Sequence, residues 1–455
     1  MKFSDLSSIS PIDGRYSKLV TELQDIFSEY GLIKYRIFVE IEWFIHLSCQ
    51  LNIKELPKLT KTSANSLRAI HNEFNLKEAK KVKNIEKKTN HDVKAVEYYL
   101  KNKLSESKQL SGLSEFIHFC CTSEDINNIS YALMVRDASE LLISSHTKNL
   151  NALLKRKAHL YASIPMLSRT HGQAATPTTV GKELANFSSR IDRITRDIVD
   201  TRLSGKMNGA VGNYNAHLVA YPKVNWEKIS KTFVQNLNLD WSPYTTQVEP
   251  KDNMAKLFHA HGRLNNVLLD LSRDLWGYIS LDYFSQTFSN KEVGSSTMPH
   301  KINPIDFENA EGNLGMANSM FHHLASKITV SRWQRDLSDS TSMRNIGICF
   351  SYTLIAMTSL VKGLNKLEIN RKVIKHNLDN SWEVLTEAIQ TIMRKHGVKG
   401  GYEMIKEAAR GKKITKKEIH SIIQALDVPA HEKNKLLSLT PSTYLGLAKK
   451  LAKGI

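Results

Sequence analysis

Apolar residues recur every three or four positions over long stretches of the chain. One stripe, with successive spacings of four, three, four, three and four, comprises Val180, Leu184, Phe187, Ile191, Ile194 and Ile198. Such spacing places all of these side chains on one face of a helix. A second stripe, between Leu257 and Ile279, predicts a helix of about thirty residues, roughly 45 Å long. Further helices are predicted over 27–50, 62–76, 127–161 and 305–328.

These amphipathic stretches predict an all-α fold. Helices of this length are stable only when their apolar stripes pack together, so an elongated long-helix bundle is expected. We assign the bundle to a central domain, 112–365, flanked by smaller helical domains at the N-terminus, 1–111, and the C-terminus, 366–455. Strands alternating with helices, a nucleotide-binding glycine fingerprint and a P-loop are absent from the sequence.

The composition is that of an ordinary soluble globular protein. The 455 residues are 41% hydrophobic and 24% charged. Because no secretory signal and no run of about 18 apolar residues is present, we expect a cytoplasmic protein. The four cysteines, Cys49, Cys120, Cys121 and Cys349, lack the spacing of metal ligands. We expect them to be reduced, buried thiols.

The net charge of +18 has three possible explanations, namely binding of nucleic acid, a basic cellular background, or action on an anionic substrate. Much of the positive charge lies in 77–88, 410–417 and 449–453, where aromatic residues are absent. Single-stranded nucleic-acid sites usually combine cations with aromatic side chains. We therefore interpret these patches as solvated helix faces.

Polar clusters lie in predicted loops at the ends of the predicted long helices. They occupy 89–92, 122–123, 169–173, 294–303 and 331–344. Together they supply imidazole, hydroxyl, ammonium, guanidinium and amide groups, without a metal-ligand set or a cysteine nucleophile. This inventory suits proton transfer on an anionic substrate. The residues alone leave His171 and His91 as rival bases.

The cluster nearest residue 300 precedes a predicted helix. Its glycine and two prolines exclude a regular helix or strand within the loop. Asn303 is expected to cap the following helix, and Pro304 to occupy the first turn. The helix N-terminus beside Lys301 would then hold an anion.

The cluster at 331–344 contains three arginines and several hydroxyls. Arginine binds carboxylate or phosphate in bidentate fashion, so the cluster suits an anionic ligand. A salt-bridged helix face explains the same composition equally well, and both interpretations stay open.

Residues 294–304 contain Ser-Ser-x-Met-Pro-x-Lys-x-Asn-Pro, and this segment resembles the signature loop of the fumarase/aspartase superfamily at every fixed position. Six further segments resemble the bacterial adenylosuccinate lyase family, namely Ser10–Tyr16, Asn90–Asp92, Thr122–Asp125, Arg169–Gln173, Tyr244–Gln247 and Trp333–Asp336. The resemblance extends over nearly the whole chain.

The resemblance implies a lyase of purine nucleotide biosynthesis. Such an enzyme eliminates fumarate from adenylosuccinate, giving AMP, and from succinylocarboxamide aminoimidazole ribotide, giving AICAR. It also implies a homotetramer whose active sites are assembled from loops of three subunits. No metal, organic cofactor, nucleic acid or membrane partner is expected.

The resemblance further implies roles for individual residues. His171 would be the general acid, Ser295 the base, and Lys301 and Asn303 would bind the succinyl portion of the substrate. The positions implied to line the nucleotide and carboxylate pockets are Arg15, Tyr16, Asn90, His91, Asp92, Thr122, Ser123, Gln247, Arg335, Ser340, Thr341, Ser342, Met343 and Arg344.

Other functions remain open at the level of sequence. Argininosuccinate lyase, fumarase and aspartase share the signature loop, and the pocket matches at Arg15, Gln247 and Arg335 favour adenylosuccinate lyase over them. A basic helical nucleic-acid-binding protein is an alternative from a different class. A non-catalytic member of the fold would require an impaired loop, whereas the loop is intact.

Overall fold

The computed structural model describes residues 5–287, 297–298, 300–409 and 413–455. Helix dominates these residues, which confirms the predicted all-α fold class. Two compact units are formed. Unit 1 comprises Met1–His146, Ile194–Asn266 and Gly312–Thr358, and unit 2 comprises Thr147–Arg193, Val267–Glu311 and Ser359–Ile455. The three-domain division at residues 111 and 365 stays a prediction.

The α-helices of the described residues vary widely in length, from one and a half turns to about eight. In chain order they are α1 (Thr21–Phe27), α2 (Glu29–Gln50), α3 (Lys61–Asn72), α4 (Leu76–Thr89), α5 (Asp92–Ser105), α6 (Ser123–Leu141), α7 (Lys148–Leu160), α8 (Val180–Val199), α9 (Asn215–Ala220), α10 (Trp226–Asn236), α11 (Asp252–Ser280), α12 (Ile305–Ile328), α13 (Ser338–Met343), α14 (Ile346–Lys366), α15 (Arg371–Asp379), α16 (Thr386–Lys395), α17 (Gly401–Ala409), α18 (Lys416–Ala425), α19 (Ala430–Leu437) and α20 (Ala448–Lys453). Short 3₁₀ turns occupy Asp5–Ser7, Ser17–Leu19, Ser111–Phe116 and Trp382–Leu385.

The strands are short and pair two by two. They are β1 (Pro165–Thr170), β2 (Gln173–Thr179), β3 (Ser204–Gly205), β4 (Asp240–Trp241), β5 (Phe284–Gln286) and β6 (Leu367–Ile369). The pairs β1–β2 and β5–β6 are antiparallel, and β3–β4 is parallel. The loop expected around 169–173 was therefore wrong in part, since Arg169, Thr170 and Gln173 belong to strands. Residues 173–179 are rich in threonine, whose branched side chain suits a strand.

Most of the predicted helices are confirmed. Those over 180–198, 257–279 and 305–328 match α8, α11 and α12. The helix expected over 62–76 is confirmed as α3 as far as Asn72. Its predicted end was wrong, because Asn75 caps a new helix, α4, by accepting hydrogen bonds from Lys77 N and Glu78 N. The stretch 127–161 is interrupted by a π-helical segment, Leu142–Thr147.

The core of unit 1 is built around α2. Ser28 caps this helix by accepting from Gly31 N, and Ile37, Trp43 and Phe44 are fully buried along it. The Trp43 ring meets Phe233 of α10 at 5.0 Å between centroids. Burying aromatic rings of this size contributes much of the stability of a core.

A second aromatic cluster in unit 1 encloses a histidine. Phe258, Phe321 and Phe350 pack together, and the His261 ring stacks on Phe321 at 5.6 Å between centroids. Ser139 Oγ lies 2.8 Å from His261 Nε2. The histidine is therefore a core residue, with Ser139 as its one hydrogen-bond partner among the residues that the structure describes.

Unit 2 contains close helix packing and a separate apolar core. A Cβ atom at Gly181 would lie 2.3 Å from the carbonyl oxygen of Ala158, so α7 and the first turn of α8 approach at a distance that only glycine permits. The C-terminal helices enclose Leu385, Ile389, Met393, Ile405, Ile414, Ile419 and Ile423.

The four cysteines are free, as expected, although their burial differs. Cys349 is buried, whereas Cys49 is exposed, so the expectation of buried thiols was wrong for that residue. The segment Ser338–Lys366 is long and apolar enough to cross a membrane by length and composition alone, but 67% of its apolar window is buried inside the protein. A core helix passes the same test, so this segment is weak evidence for a membrane span.

Burial of His261 makes stability depend on pH. Burial lowers the pKa of His261 from 6.5 to about 3, so between these values the unfolded chain binds a proton that the folded chain does not. As the pH is lowered through this window, the free energy of unfolding should therefore decrease, by up to about 1.4 kcal/mol per pH unit. Urea unfolding measures the free energy of unfolding at pH 7.0 and at pH 5.5. The decrease between these two pH values should be about 1 kcal/mol larger for the unaltered chain than for His261→Gln. His431→Gln, at a residue whose side chain is 76% exposed, should behave like the unaltered chain, and equal losses in all three proteins would contradict this prediction.

Candidate active site

The loop between α4 and α5 carries Asn90, His91 and Asp92. Asn90 ends α4 in the left-handed conformation, with φ 51°, which asparagine adopts more readily than most residues. His91 caps α5, because its Nδ1 accepts from Lys94 N at 3.1 Å. The neutral imidazole therefore carries its hydrogen on Nε2, which is the ring nitrogen left for a ligand. His91 therefore has a structural role as a helix cap, in addition to the role of candidate base or substrate-binding residue that the sequence suggested.

The second predicted cluster lies at the start of α6. Thr122 and Ser123 are half-buried, and the fully buried carboxylate of Asp125 accepts from Thr122 N at 2.8 Å. Asp125 also accepts from Gly209 N and pairs with the fully buried Lys206, whose Nζ lies 3.1 Å from Oδ1. These bonds fix the two hydroxyl-bearing residues against the segment 205–209.

Arg335 contacts two other predicted site residues in unit 1. Its Nη1 donates to Gln247 Oε1 at 3.0 Å, and its Nη2 donates to Ser340 Oγ at 3.2 Å. Gln247 in turn donates from Nε2 to the carbonyl of Ala210 at 3.0 Å. The predicted loops around residues 247 and 335 therefore meet.

Arg344 connects the same patch to the loop 90–92. Its Nη1 lies 2.7 Å from Glu29 Oε2, and its Nη2 lies 2.8 Å from Asp92 Oδ2. Arg335 also pairs with a carboxylate, since its Nη2 lies 3.2 Å from Glu124 Oε1. Both arginines are therefore salt-bridged, as one of the two interpretations expected, and their binding of an anionic ligand stays a prediction.

Three buried residues complete this cluster, namely Arg36, Glu124 and Asn127, and of these only Glu124 lies in a segment that the sequence had singled out, Thr122–Asp125. Arg36 donates from Nη2 to Asp92 Oδ2 at 2.8 Å and from Nε to Asn127 Oδ1 at 2.9 Å. Asn127 donates from Nδ2 to Glu124 Oε1 at 3.0 Å, and the same oxygen lies 3.2 Å from Arg335 Nη2. A charged residue within the apolar stretch of α2 was the available signal for Arg36.

The charges around Asp92 keep it ionised. Burial opposes the ionised form, but Arg36 and then Arg344 outweigh that effect and lower the pKa of Asp92 below its ordinary value of 3.8. A carboxylate held between two guanidinium groups orients both of them.

The other predicted residues of unit 1 lie in varied surroundings. Arg15 is exposed and Tyr16 half-buried in a turn closed by a hydrogen bond from Tyr16 N to Pro11 O at 2.8 Å. Thr341 is exposed, and Ser342 Oγ donates to Ser338 O at 3.2 Å. Met343 is 2% exposed, which is the burial of a core residue.

His171 in unit 2 lies at the tip of the β1–β2 hairpin. Thr170 pairs with Gln173, so His171 and Gly172 form the two-residue turn, with φ values of 54° and 76°. Two positive φ angles are those of a type I′ turn, which matches the twist of a hairpin. The strand below is fixed by Arg169, whose Nη2 donates to the buried Tyr283 hydroxyl at 3.1 Å. His171 is therefore an exposed imidazole on an anchored turn.

The signature loop is described in part. Ser295 lies outside the described residues, Lys301 is exposed and Asn303 is half-buried. The first turn of α12 follows directly, and the Pro304 carbonyl accepts from Phe307 N at 3.1 Å and Glu308 N at 3.3 Å. Pro304 therefore occupies the capping position that was expected for Asn303. Lys301 and Asn303 precede this helix N-terminus by a few residues, where the helix dipole favours an anion.

The side chains of these clusters suit acid–base chemistry on an anion. They combine exposed imidazole, ammonium and guanidinium groups with hydroxyls and amides. Among the described residues, no group of three histidine, cysteine, aspartate or glutamate side chains could hold a metal ion.

Comparison with known proteins defines the class as a lyase. Residues 14–318 match a family model described as lyase, and residues 331–445 match one described as adenylosuccinate lyase C-terminal. The fold is similar to that of a fumarate lyase from Mesorhizobium sp. BNC1, with TM-score 0.76 and 17% identity over 95% of this chain and 96% of that one. It is also similar to 3-carboxy-cis,cis-muconate lactonizing enzyme from Pseudomonas putida, with TM-score 0.72 and 19% identity over 95% of each chain.

Full-length relatives give the family. The adenylosuccinate lyase of Buchnera aphidicola subsp. Schizaphis graminum is 52% identical over 451 residues, which cover 99% of each chain. That of Escherichia coli strain K12 is 50% identical over 448 residues, which cover 98% of each. The chain belongs to the adenylosuccinate lyase family of the fumarase/aspartase superfamily. The comparisons give no support to assignment as an argininosuccinate lyase, a fumarase or a nucleic-acid-binding protein.

The turn that carries His171 should depend on glycine at position 172. Gly172→Ala places a Cβ at φ 76° and should lower the free energy of unfolding by about 1 kcal/mol, whereas Gly172→Asn should cost less because asparagine tolerates this conformation. Urea unfolding measures both. Gly112→Ala is a matched control, since a Cβ would meet nothing within 4 Å at either glycine and the φ of Gly112 is not positive. An equal change for Gly172→Ala and Gly112→Ala would argue against the type I′ turn.

Proposed function

We propose that the chain eliminates fumarate from adenylosuccinate, giving AMP, and from succinylocarboxamide aminoimidazole ribotide, giving AICAR. The observation that carries the proposal is the identity of about half of all residues with adenylosuccinate lyases over almost the entire chain. The cluster of Arg335 and Arg344 supports it, because a substrate with a phosphate and two carboxylates requires several cationic partners.

The reaction moves two protons. Ser295 Oγ removes the proton from the carbon next to a carboxylate, and the electron pair left behind forms the double bond of fumarate as the carbon–nitrogen bond breaks. His171 donates a proton to the departing nitrogen. Each proton transfer contributes roughly 10² to 10⁴ in rate. Serine is a weak base, so the assignment of Ser295 requires a positive local field and rests on the family resemblance.

The carbanion next to the carboxylate requires stabilisation. As the proton leaves, negative charge accumulates on the carboxylate oxygens, and a donor aimed at them contributes roughly 3 kcal/mol. Lys301, Asn303 and the N-terminus of α12 are the groups that we assign to this task. The nucleotide and the remaining carboxylate would be bound by Arg15, Tyr16, Asn90, His91, Asp92, Thr122, Ser123, Gln247, Arg335 and residues 340–344.

The assembly is part of the proposal. We infer a homotetramer in which loops of three subunits complete each active site, with a central helical domain, 112–365, between smaller domains at 1–111 and 366–455. Turnover would require neither a metal nor an organic cofactor. The protein would act in the cytoplasm, where purine nucleotides are made.

Loss of either proton-transfer group should abolish turnover without preventing binding. His171→Ala and Ser295→Ala should each lower kcat at least about 10²-fold, because the acid or base contribution is lost, while the affinity for adenylosuccinate changes little. The absorbance change on forming AMP measures kcat, and calorimetry measures binding. His431→Ala, a substitution of an exposed histidine on α19, should leave both quantities unchanged. Near-normal turnover in Ser295→Ala would reject serine as the base.

Lys301 should contribute to binding as well as to rate. Lys301→Ala removes a cation assigned to the succinyl carboxylates, so both KM for adenylosuccinate and kcat should deteriorate, whereas AMP affinity should be retained. Inhibition of the unaltered and altered chains by fumarate and by AMP separates the two halves of the site. Unchanged inhibition by fumarate would place Lys301 elsewhere.

A further inference from the structure

Unit 1 contains a fully buried arginine that the proposed chemistry does not use. Arg36 is 2% exposed and lies on α2 among residues such as Ile33 and Ile37, which are also buried. Arginine is almost never buried completely unless it is paired. The identity of its partners therefore indicates why it is there.

Both partners of Arg36 lead to predicted substrate-binding arginines. On one side, Asp92 Oδ2 accepts from Arg36 Nη2 at 2.8 Å and from Arg344 Nη2 at 2.8 Å. On the other side, Asn127 accepts a hydrogen bond from Arg36 Nε and donates one to Glu124 Oε1. The same Glu124 oxygen pairs with Arg335 Nη2. Arg36 thus lies at the centre of a continuous chain of hydrogen bonds with an arginine at each end.

Stability alone gives a weak reason for this arrangement. A buried ion pair often contributes no more than apolar residues of similar volume would, because both charges lose their water. Arg36 Nη1 is also buried and makes no hydrogen bond to any residue that the structure describes, which adds a cost. A role in orienting other groups accounts for the retention of a guanidinium at this position.

We propose that Arg36 is a positioning residue, which holds Arg344 through Asp92 and Arg335 through Asn127 and Glu124 in the orientation that receives the anionic groups of the substrate. The inference rests on the proposed function, since it assigns those two arginines to substrate binding. Glu124 is 3% exposed and Asn127 7% exposed, so neither reorients freely in water. The two arginines are therefore ordered before substrate arrives, which lowers the entropic cost of binding.

The geometry of the guanidinium determines the sharpest substitution. Arg36 uses Nε and Nη2, on one edge of its planar group, for an amide oxygen and a carboxylate oxygen that belong to different elements. A lysine ammonium retains the charge but is a single point, so it cannot reproduce both bonds with the same geometry. Arg36→Lys therefore tests orientation rather than charge.

The experiment measures kcat and KM for adenylosuccinate together with calorimetric affinity for the same compound. Arg36→Lys should raise KM and the dissociation constant roughly 10-fold and change kcat less than about 3-fold, because it disorders binding groups and leaves proton transfer intact. Glu124→Gln, which keeps the shape and removes the charge beside Arg335, should act in the same direction, and it keeps the test decisive if Arg36→Lys does not fold.

A matched control separates orientation from general destabilisation. Glu97 is 4% exposed and lies between Lys94 and Lys101, so it is a buried, paired carboxylate of unit 1 outside the Arg36 contacts. Glu97→Gln should leave KM within about 2-fold of the unaltered value even if it lowers the melting temperature. Glu124→Asp keeps the charge but shortens the side chain, so that it does not reach Arg335. We therefore expect this variant to have a raised KM as well.

A double-substitution cycle tests whether Glu124 acts through Arg335. Combined with Arg335→Lys, Glu124→Gln should raise KM by less than about 2-fold more, because its effect requires the guanidinium that has been removed. Three results would overturn the inference in a preparation whose unaltered chain is active. These are additive effects in the cycle, an effect on kcat alone, and an unchanged KM in both Arg36→Lys and Glu124→Gln. An unaltered chain that neither binds nor cleaves adenylosuccinate would overturn the proposed function and this inference with it.

Discussion

A charge buried in a protein must be paired, and this constraint determines which loops meet in unit 1. Asp125 and Lys206 are both completely buried and pair at 3.1 Å. The carboxylate also accepts backbone hydrogen bonds from Thr122 and Gly209. Removal of one member would leave the other charge unpaired, at a cost of roughly 3 to 5 kcal/mol. The start of α6 and the segment 205–209 are thereby held together although some eighty residues separate them.

The same requirement explains the limits of sequence-based prediction. Regular spacing of apolar residues identified α8, α11 and α12, because helical periodicity is a local property. The burial of Arg36 depends on α5 and α6, which lie far away in sequence. A single arginine in an apolar stretch gives the same sequence pattern whether its side chain is exposed or buried. Gln247 and Arg335, which were chosen by resemblance, hydrogen-bond directly in the structure, whereas Arg36, which lies between Arg335 and Arg344 in the hydrogen-bonded chain, belongs to none of the resembling segments.

Local structure was misread where side chains compete with backbone pairing. The segment around His171 was expected to be a loop, since its polar residues lack a helical stripe. Two adjacent residues at positive φ instead allow tight pairing of the flanking strands, and Thr176, left unpaired at a register shift beside Leu167, donates to the Glu387 carboxylate. The hairpin is therefore fixed by contacts beyond its own sequence. Asn75 had a different effect, because its side chain caps the start of α4 within the stretch that had been predicted as a single helix.

The structure distinguishes the two histidines that sequence left as rivals. A base or acid must exchange a proton at a nitrogen that substrate can reach. His91 Nδ1 accepts the hydrogen bond that caps α5, so protonation there would sacrifice the cap, typically worth about 1 kcal/mol. Nδ1 of His91 is thus occupied by the helix cap, and Nε2 is suited to donate a hydrogen bond to a ligand. His171 lies exposed on a turn and its ring caps no helix among the described residues. This difference supports the proposed assignment of His171 to proton transfer and of His91 to binding, on grounds independent of the family resemblance.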